Sequence, residues 1–492
     1  MINENQYRLL CELTDKLLNV DGVKTERVAI SMLHVMRAHP IFLSRYESLF
    51  VDLNSKLALI KKLYHFVFQS CIQLLKSLNS PRVLPGGLNL NKPTFIFVSH
   101  LINESHIDEE SDFYFGDLPQ KLALNDYHSI VSLINHTSLK HNFYQKKPFK
   151  KGMNKILLAK RLNFVEEIKI LISCFKESMT LRRDAKSCSE PILKKIILKA
   201  SEGVLSQETF QNLRIGYQIR YIVEKYQPKA IITTFEGHAW ERIVFSEARM
   251  ANQSIHCFGY QHAALFKNQH AIRRPISNRF NPDTILTSGK LGFEQLVNDS
   301  SYTNVSIGIL GSHKNMFLKT KDKNTEENIC LVIPEGTESE CKILFEFSLR
   351  CANKFPTMKF IWRVHPILNI EEISTKLFSN NKLPENIHLS KSTLEDDLNK
   401  AKWALYRGTT TIVQAVLSGV FPIYFDTQDF NIDPLYSVND EIFYIKNDFE
   451  FHDLVANFQN IDHINSSLLK LKNSLKDFYT PINLNVLYST IS

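Results

Sequence analysis

Three short stretches place chemistry-bearing side chains where an apolar run stops. ITTFEGHAWERI ends its run in Glu236, Gly237 and His238, and FIWRVHP ends in Arg363, His365 and Pro366. LYRGTTTIVQAVLSG ends in Arg407 and Gly408, followed by Thr409, Thr410 and Thr411. A carboxylate at a strand-to-helix turn is favoured in its ionised form by the helix N-terminus, as a general base or a nucleophile needs. The ordinary alternative is a helix-start glutamate satisfying its own amides. Gly237 allows close backbone approach beside Glu236. The next apolar run, in GYQHAAL, ends in Gln261 and His262, and two neighbouring strand ends carrying Glu, Gln and His read as a site. His238, Trp240 and Glu241 are candidates for shaping its pocket, with core packing the rival for Trp240.

Proline at 366 biases His365 towards an extended backbone, so its imidazole is presented beyond the strand. Arg363 and His365 flank Val364 and share one side of the pleat. They either meet a phosphate, or Arg363 forms a salt bridge while His365 caps a carbonyl. Asn369 and Glu372 then resemble a capping box for the following helix. Thr411 and Gln414 have the same spacing, and free amides at that helix start, with hydroxyls and Arg407 beside them, suit a phosphate. A plain N-cap is the alternative. The stretch is not a P-loop, because the lysine and the longer glycine spacing are missing.

The elements that must position these residues alternate. KAIITTF, IHCFGYQ and DTILTSG read as strands separated by helical patterns, and the alternation restarts with ICLVIP, FIWRV, NIHLS, WALYR and GVFPIYF. Earlier, TFIFVSHL and SIVSLINH read as buried strands, and residues 154–199 as mainly helical. Alternation of this kind implies βαβ units, parallel sheets and ligands beyond the carboxyl ends of the strands. The expected domains are a helical region over 1–90, a Rossmann-like domain over 91–320 and a second over 321–492. The polar stretch 313–328 is the expected linker. Glu395, Asp396 and Asp397 read as a solvated helix face, and the acidic loop 103–112 as one that could face an acceptor.

At 492 residues the chain is too long for one core. Its eight cysteines include no C-x-x-C pair, which suits reduced thiols. The start MINENQYRLL lacks the basic-then-apolar run of a signal peptide, and no apolar segment is long enough to span a bilayer, so a cytoplasmic location is expected. The net charge of +8 is mild, and nucleic-acid signatures are not evident. The lysine-rich stretch 144–155 reads as a solvated loop, or else as a basic patch for anionic lipid or substrate.

The order of these motifs resembles that of bacterial GT-B glycosyltransferases using CMP-activated acidic sugars, among them sialyltransferases, polysialyltransferases and capsule Kdo transferases. That pattern is an acidic pair plus glycine, then His-Pro, then a Ser/Thr pair. Here the matching positions are Glu236-Gly237, His365-Pro366 and Thr409-Thr410, over roughly residues 90–430. Phe235 stands at the first acidic position, leaving Glu236 the only acid there. The segment Tyr260-Gln261-His262 is similar to Gln-His segments of surface-polysaccharide transferases.

The resemblance implies an α/β GT-B fold: two doubly wound Rossmann-like domains facing a cleft, with an N-terminal helical extension. It implies transfer of Kdo, sialic acid or a relative from a CMP-sugar donor to a surface polysaccharide or lipooligosaccharide, with no metal and no further cofactor. Glu236 would be base or nucleophile, His365 would act on the departing phosphate, and Thr409 and Thr410 would hold it. Glu335 and Gly336 would contact the cytidine, unless Glu335 is a helix-start carboxylate. The expected partners are a nucleotide-sugar donor, a glycan acceptor and the cytoplasmic face of the inner membrane, with no nucleic acid. The alternatives are a CDP-alcohol-dependent polyol-phosphate transferase, a non-catalytic scaffold of polysaccharide assembly, and a sugar-nucleotide epimerase.

Overall fold

Two parallel sheets organise the chain. The computed structural model describes residues 2–50, 74–75, 77–78, 92–107, 109–138, 154–314, 328–366, 368–378, 383–457 and 461–491. The lysine-rich stretch (except its last two residues), most of 51–90 within the expected helical region and most of the expected linker lie outside the described residues. The chain divides into one unit of Met1–His262, Gln269–Asn315 and Thr480–Ser492, and another of Ala263–Asn268 and Met316–Tyr479.

Among the described residues, the first unit holds seven strands: β1 (Phe95–Leu101), β2 (Ser129–Asn135), β3 (Asn154–Leu157), β4 (Ala230–Thr234), β5 (His256–Gln261), β6 (Thr284–Thr287) and β7 (Ser306–Ile309). Their order is β3-β2-β1-β4-β5-β6-β7, all parallel. Strands buried on both faces need near-continuous apolar sequence, and Phe95, Phe97, Val131, Ile232 and Phe258 supply it. The labelled helices of this unit are α1 (Glu4–Leu18), α2 (Phe164–Ser187), α3 (Pro191–Gly203), α4 (Gln207–Tyr226), α5 (Ala239–Ala251) and α6 (Lys290–Asp299).

Among the described residues, the second unit has six strands: β8 (Ile329–Ile333), β9 (Lys359–Trp362), β10 (Ile387–Leu389), β11 (Trp403–Tyr406), β12 (Phe421–Phe425) and β13 (Phe443–Ile445). They are ordered β10-β9-β8-β11-β12-β13, again all parallel. Trp362 stacks on Phe345 with ring centroids 4.3 Å apart, at the centre of a core that also takes Trp403 and Phe451. The labelled helices are α7 (Glu338–Lys354), α8 (Ile370–Phe378), α9 (Leu394–Lys400) and α10 (Thr411–Leu417). Both sheets have doubly wound topology, in which strand order reverses direction between two neighbours, β1 and β4 in one and β8 and β11 in the other.

Some expectations change. Residues 154–199 are mainly helical as expected, but they open on a strand, β3. Strands β7 and β13 are three or four residues long and half exposed in part, too short and mixed for a pattern to reveal. The N-terminal helical residues are built into the first unit. Asp15 pairs with Arg274 at 2.8 Å, and Arg27 with the buried Glu177 at 2.6 Å. The chain end returns to the first unit as well. Ser312 donates its amide to the Thr480 carbonyl at 2.8 Å, and Tyr488 stacks on Tyr127. A single cut near residue 321 therefore does not describe the contacts.

Candidate active site

In the first unit, four adjacent strands deliver titratable side chains at their carboxyl ends. His136 follows β2, His100 lies near the end of β1, Glu236 follows β4 and His262 follows β5. The ring nitrogens His100 Nδ1 and His136 Nε2 are 2.9 Å apart. His100 Nε2 lies 3.4 Å from Thr234 Oγ1, so this contact spans the β1–β4 reversal point, where doubly wound sheets open a crevice. Trp240 sits edge-on to His100 at 5.0 Å between ring centroids, and Tyr114 edge-on to His262 at 4.7 Å. Beside the histidine pair is a cavity of about 350 Å³, reached by Lys160, Trp240 and, from α4, Gln211 and Asn212.

The turn after β4 assigns its two glutamates different roles. The amides of Glu236, Gly237 and His238 all donate to the buried Glu241 carboxylate, at 2.8–3.1 Å. Glu241 stands three residues into the turn's helix, α5, and does the capping that sequence reading offered as the ordinary use of Glu236. The Glu236 carboxylate is thereby left to face His238, whose Nε2 is 3.3 Å away. Gly237 holds φ +89°, and a Cβ there would lie 2.3 Å from the Ala271 backbone, so only glycine fits this close approach.

Electrostatics separate the two carboxyls. Burial is the largest influence on Glu236 and acts upward, but the hydrogen bond to His238 and the charges of His262, His238 and Arg37 outweigh it and hold the group at about 2. Burial, with the Glu236 charge adding, pushes Glu241 up to about 7 against its amide bonds and His238. Burial lowers His238, yet its bond to Glu236 and the charges of Glu241 and Glu236 win, and its value is raised. Burial pushes His100 down to about 3, with His136 adding, and His262 down to about 4. The site thus pairs an ionised carboxylate with one protonatable imidazole, among neutral imidazoles able to donate or accept.

In the second unit, the segments after β9, β8 and β11 leave one sheet edge side by side. Glu335, after β8, touches Gly408, after β11: a Cβ on Gly408 would lie 2.6 Å from Glu335 Oε2. This contact spans the β8–β11 reversal point, and Gly336 follows within the same turn. His365 and Pro366 are exposed, and Thr409, Thr410 and Thr411 are buried or half-buried at the start of α10.

Both arginines are held by carboxylates. Arg363 donates to Asp397 at 2.7 Å, to Ser390 and to the Ser392 carbonyl, which is the salt-bridge alternative of the sequence reading. Asp397 is buried for this purpose, so the acidic run 395–397 is not simply a solvated face. Arg407 is fully buried and pairs with the equally buried Glu340 of α7 at 3.3 Å, tying the start of that helix to the end of β11. The expected capping box of Thr411 and Gln414 is absent. Thr410 is the N-cap, without a side-chain hydrogen bond, and α10 is only seven residues long. Asn369 does cap α8, accepting from the amides of Glu371 and Glu372.

Two other expectations resolve on side-chain direction. Gln261 turns towards α6, where a Cβ on Gly292 would lie 2.7 Å from its Oε1, while His262 joins the Glu236 cluster. In the loop 103–112, Asp112 is buried and accepts from Ser99 and from the amides of Tyr114 and Phe115, so it fixes the loop from within. Sequence reasoning missed His100, His136 and Tyr114. The two histidines carry the same signal as Glu236, a polar residue ending an apolar run, in TFIFVSHL and SIVSLINH. Among the described residues, no three His, Cys, Asp or Glu side chains gather as a metal site would.

No family model matches the chain, and no curated protein does. Solved structures resemble it at low identity. The glycotransferase of kitacinnamycin is 11% identical over 82% of this chain and 100% of its own, with a TM-score of 0.48. The glycosyltransferase SnogD from Streptomyces nogalater is 11% identical over 82% and 100%, with a TM-score of 0.45. UDP-GlcNAc 2-epimerase from Neisseria meningitidis, bound to UDP-GlcNAc, is 12% identical over 81% and 99%, with a TM-score of 0.43.

Proposed function

We propose that the protein is a GT-B glycosyltransferase that moves an acidic ulosonic sugar, Kdo, sialic acid or a relative, from a CMP donor to a saccharide acceptor. One observation carries the reading: Glu241 occupies the amides of the turn, so the Glu236 carboxylate is available at the reversal point of the first sheet. Glu236 takes the acceptor hydroxyl proton. A carboxylate at about 2 is fully ionised but a weak base. An acceptor that displaces His238 and excludes water raises its basicity, because burial already acts upward on it.

The cavity beside His100 and His136 receives the acceptor, with Trp240 as an apolar wall and the imidazoles and amides as hydrogen-bonding groups. His365, Thr409 and Thr410 serve the departing CMP phosphate, and the turn of Glu335, Gly336 and Gly408 serves the nucleoside. Arg363 and Arg407 orient that region through Asp397 and Glu340, without touching the donor. Incubation with CMP-sugars, CDP-alcohols and UDP-sugars, each with and without saccharide acceptors, tests the reading by nucleotide release and product mass. CMP release with sugar transfer, lost in Glu236→Gln and His365→Ala, supports it; transfer of phosphorus or release of UDP refutes it. Phe235 favours a second reading, a non-catalytic scaffold, because it is wholly buried against Gly259 and Phe245 at the position where the family pattern has an acid. Calorimetric CMP binding without turnover on any donor would select that reading.

A further inference from the structure

Helix α2 is 24 residues long, and its two sides differ sharply. One side is built into the first unit. Glu167 accepts from Arg214 at 2.8 and 2.9 Å, Glu177 is paired with Arg27 and Lys24, and Ser178 donates to the Ser201 carbonyl of α3. The other side carries Phe164, Val165, Ile172, Phe175 and Met179 in solvent, the last four between 42% and 58% exposed. At about 100° per residue, these five fall within an arc of roughly 100°. Scattered single exposed apolar residues need no explanation, but a contiguous stripe of five does.

The charges along this stripe have one sign. Arg183 and Lys186 fall inside the same arc, and Lys176 lies about 20° outside it by the same geometry. All three are exposed, and among the described residues none has an ion-pair partner. The acids Glu166 and Asp184 lie about 100° round the helix, where each is paired, with Lys169 and Arg27 respectively. An exposed apolar stripe with uncompensated cations along it is complementary to a surface that is apolar beneath and anionic on top. Such a helix lies in the headgroup layer with its axis along the surface. It does not cross, and no helix among the described residues is long and apolar enough to do so.

We propose that the outer face of α2 is a membrane-docking surface for anionic lipid. It rests on none of the catalytic assignments. The test is co-sedimentation of the full chain with vesicles of phosphatidylcholine alone and of an equimolar mixture with phosphatidylglycerol, at low and high salt. Binding is expected to the anionic vesicles only and to weaken with salt. Ile172→Ser combined with Phe175→Ser, and separately Lys176→Gln combined with Arg183→Gln, should each weaken it about tenfold or more with unchanged circular dichroism. Absence of binding to anionic vesicles overturns the proposal, as does binding that both double variants retain. A concentration-dependent dimer in sedimentation velocity, lost in Ile172→Ser/Phe175→Ser, also overturns it, because a second copy then covers the face.

Discussion

Removing the Glu241 carboxylate and neutralising Glu236, each in its own variant, separates chemistry from scaffolding at one turn. Glu241→Ala removes the acceptor for the amides of Glu236, Gly237 and His238. The Gly237 amide is buried and the other two are partly so, and the Glu241 side chain is only 1% exposed, so water replaces the lost bonds poorly. At about 1–3 kcal/mol for each orphaned buried donor, with partial relief at the outer two, the cost is about 3 kcal/mol or more. Glu236→Gln keeps shape and leaves those bonds intact, and its half-exposed side chain should change stability by less than about 1 kcal/mol. Turnover should behave in the opposite way, with loss of the proton acceptor costing about 10²–10⁴-fold in CMP release. Urea unfolding followed by circular dichroism, beside a CMP-release assay, measures both. A Glu236→Gln variant that unfolds early while Glu241→Ala stays stable would refute the division of roles. So would a stable Glu236→Gln variant with full turnover.

Arg407→Met removes the guanidinium that faces the buried Glu340 carboxylate and should destabilise the chain by about 3–5 kcal/mol, while Arg407→Met with Glu340→Leu recovers most of that in urea unfolding. A small stability change accompanied by loss of CMP affinity would instead make Arg407 a phosphate ligand. His100 sits at about 3, below its ordinary 6.5, so the folded state prefers the neutral ring. Its contribution to stability is complete above about 6.5 and is lost as pH falls from there towards about 3. In NMR titration its ring protons should not shift between pH 5 and 8, and a midpoint near 6.5 would contradict the packed histidine pair.

The sequence by itself determined most strands of the two sheets and where they end, though not β3, β7 or β13. Strands buried on both faces must be apolar throughout, so KAIITTF, ICLVIP and WALYR announce themselves, and each polar residue that halts such a run marks a carboxyl end. Glu236, His365 and the threonines after Arg407 were legible for that reason, and His100 and His136 obey the same rule. Partner choice was not legible, because it depends on residues distant in the chain. Arg363 meets Asp397, 34 residues on, and Arg407 meets Glu340, 67 residues back. Sequence spacing offered both arginines to a phosphate, and only the packing of α9 and α7 against the sheet gave them carboxylates. The same holds at the turn after β4, where two glutamates five residues apart look equivalent in the sequence. The left-handed Gly237 and the start of α5 direct three amides at Glu241 alone, and that geometry leaves Glu236 facing His238 at the reversal point of the sheet.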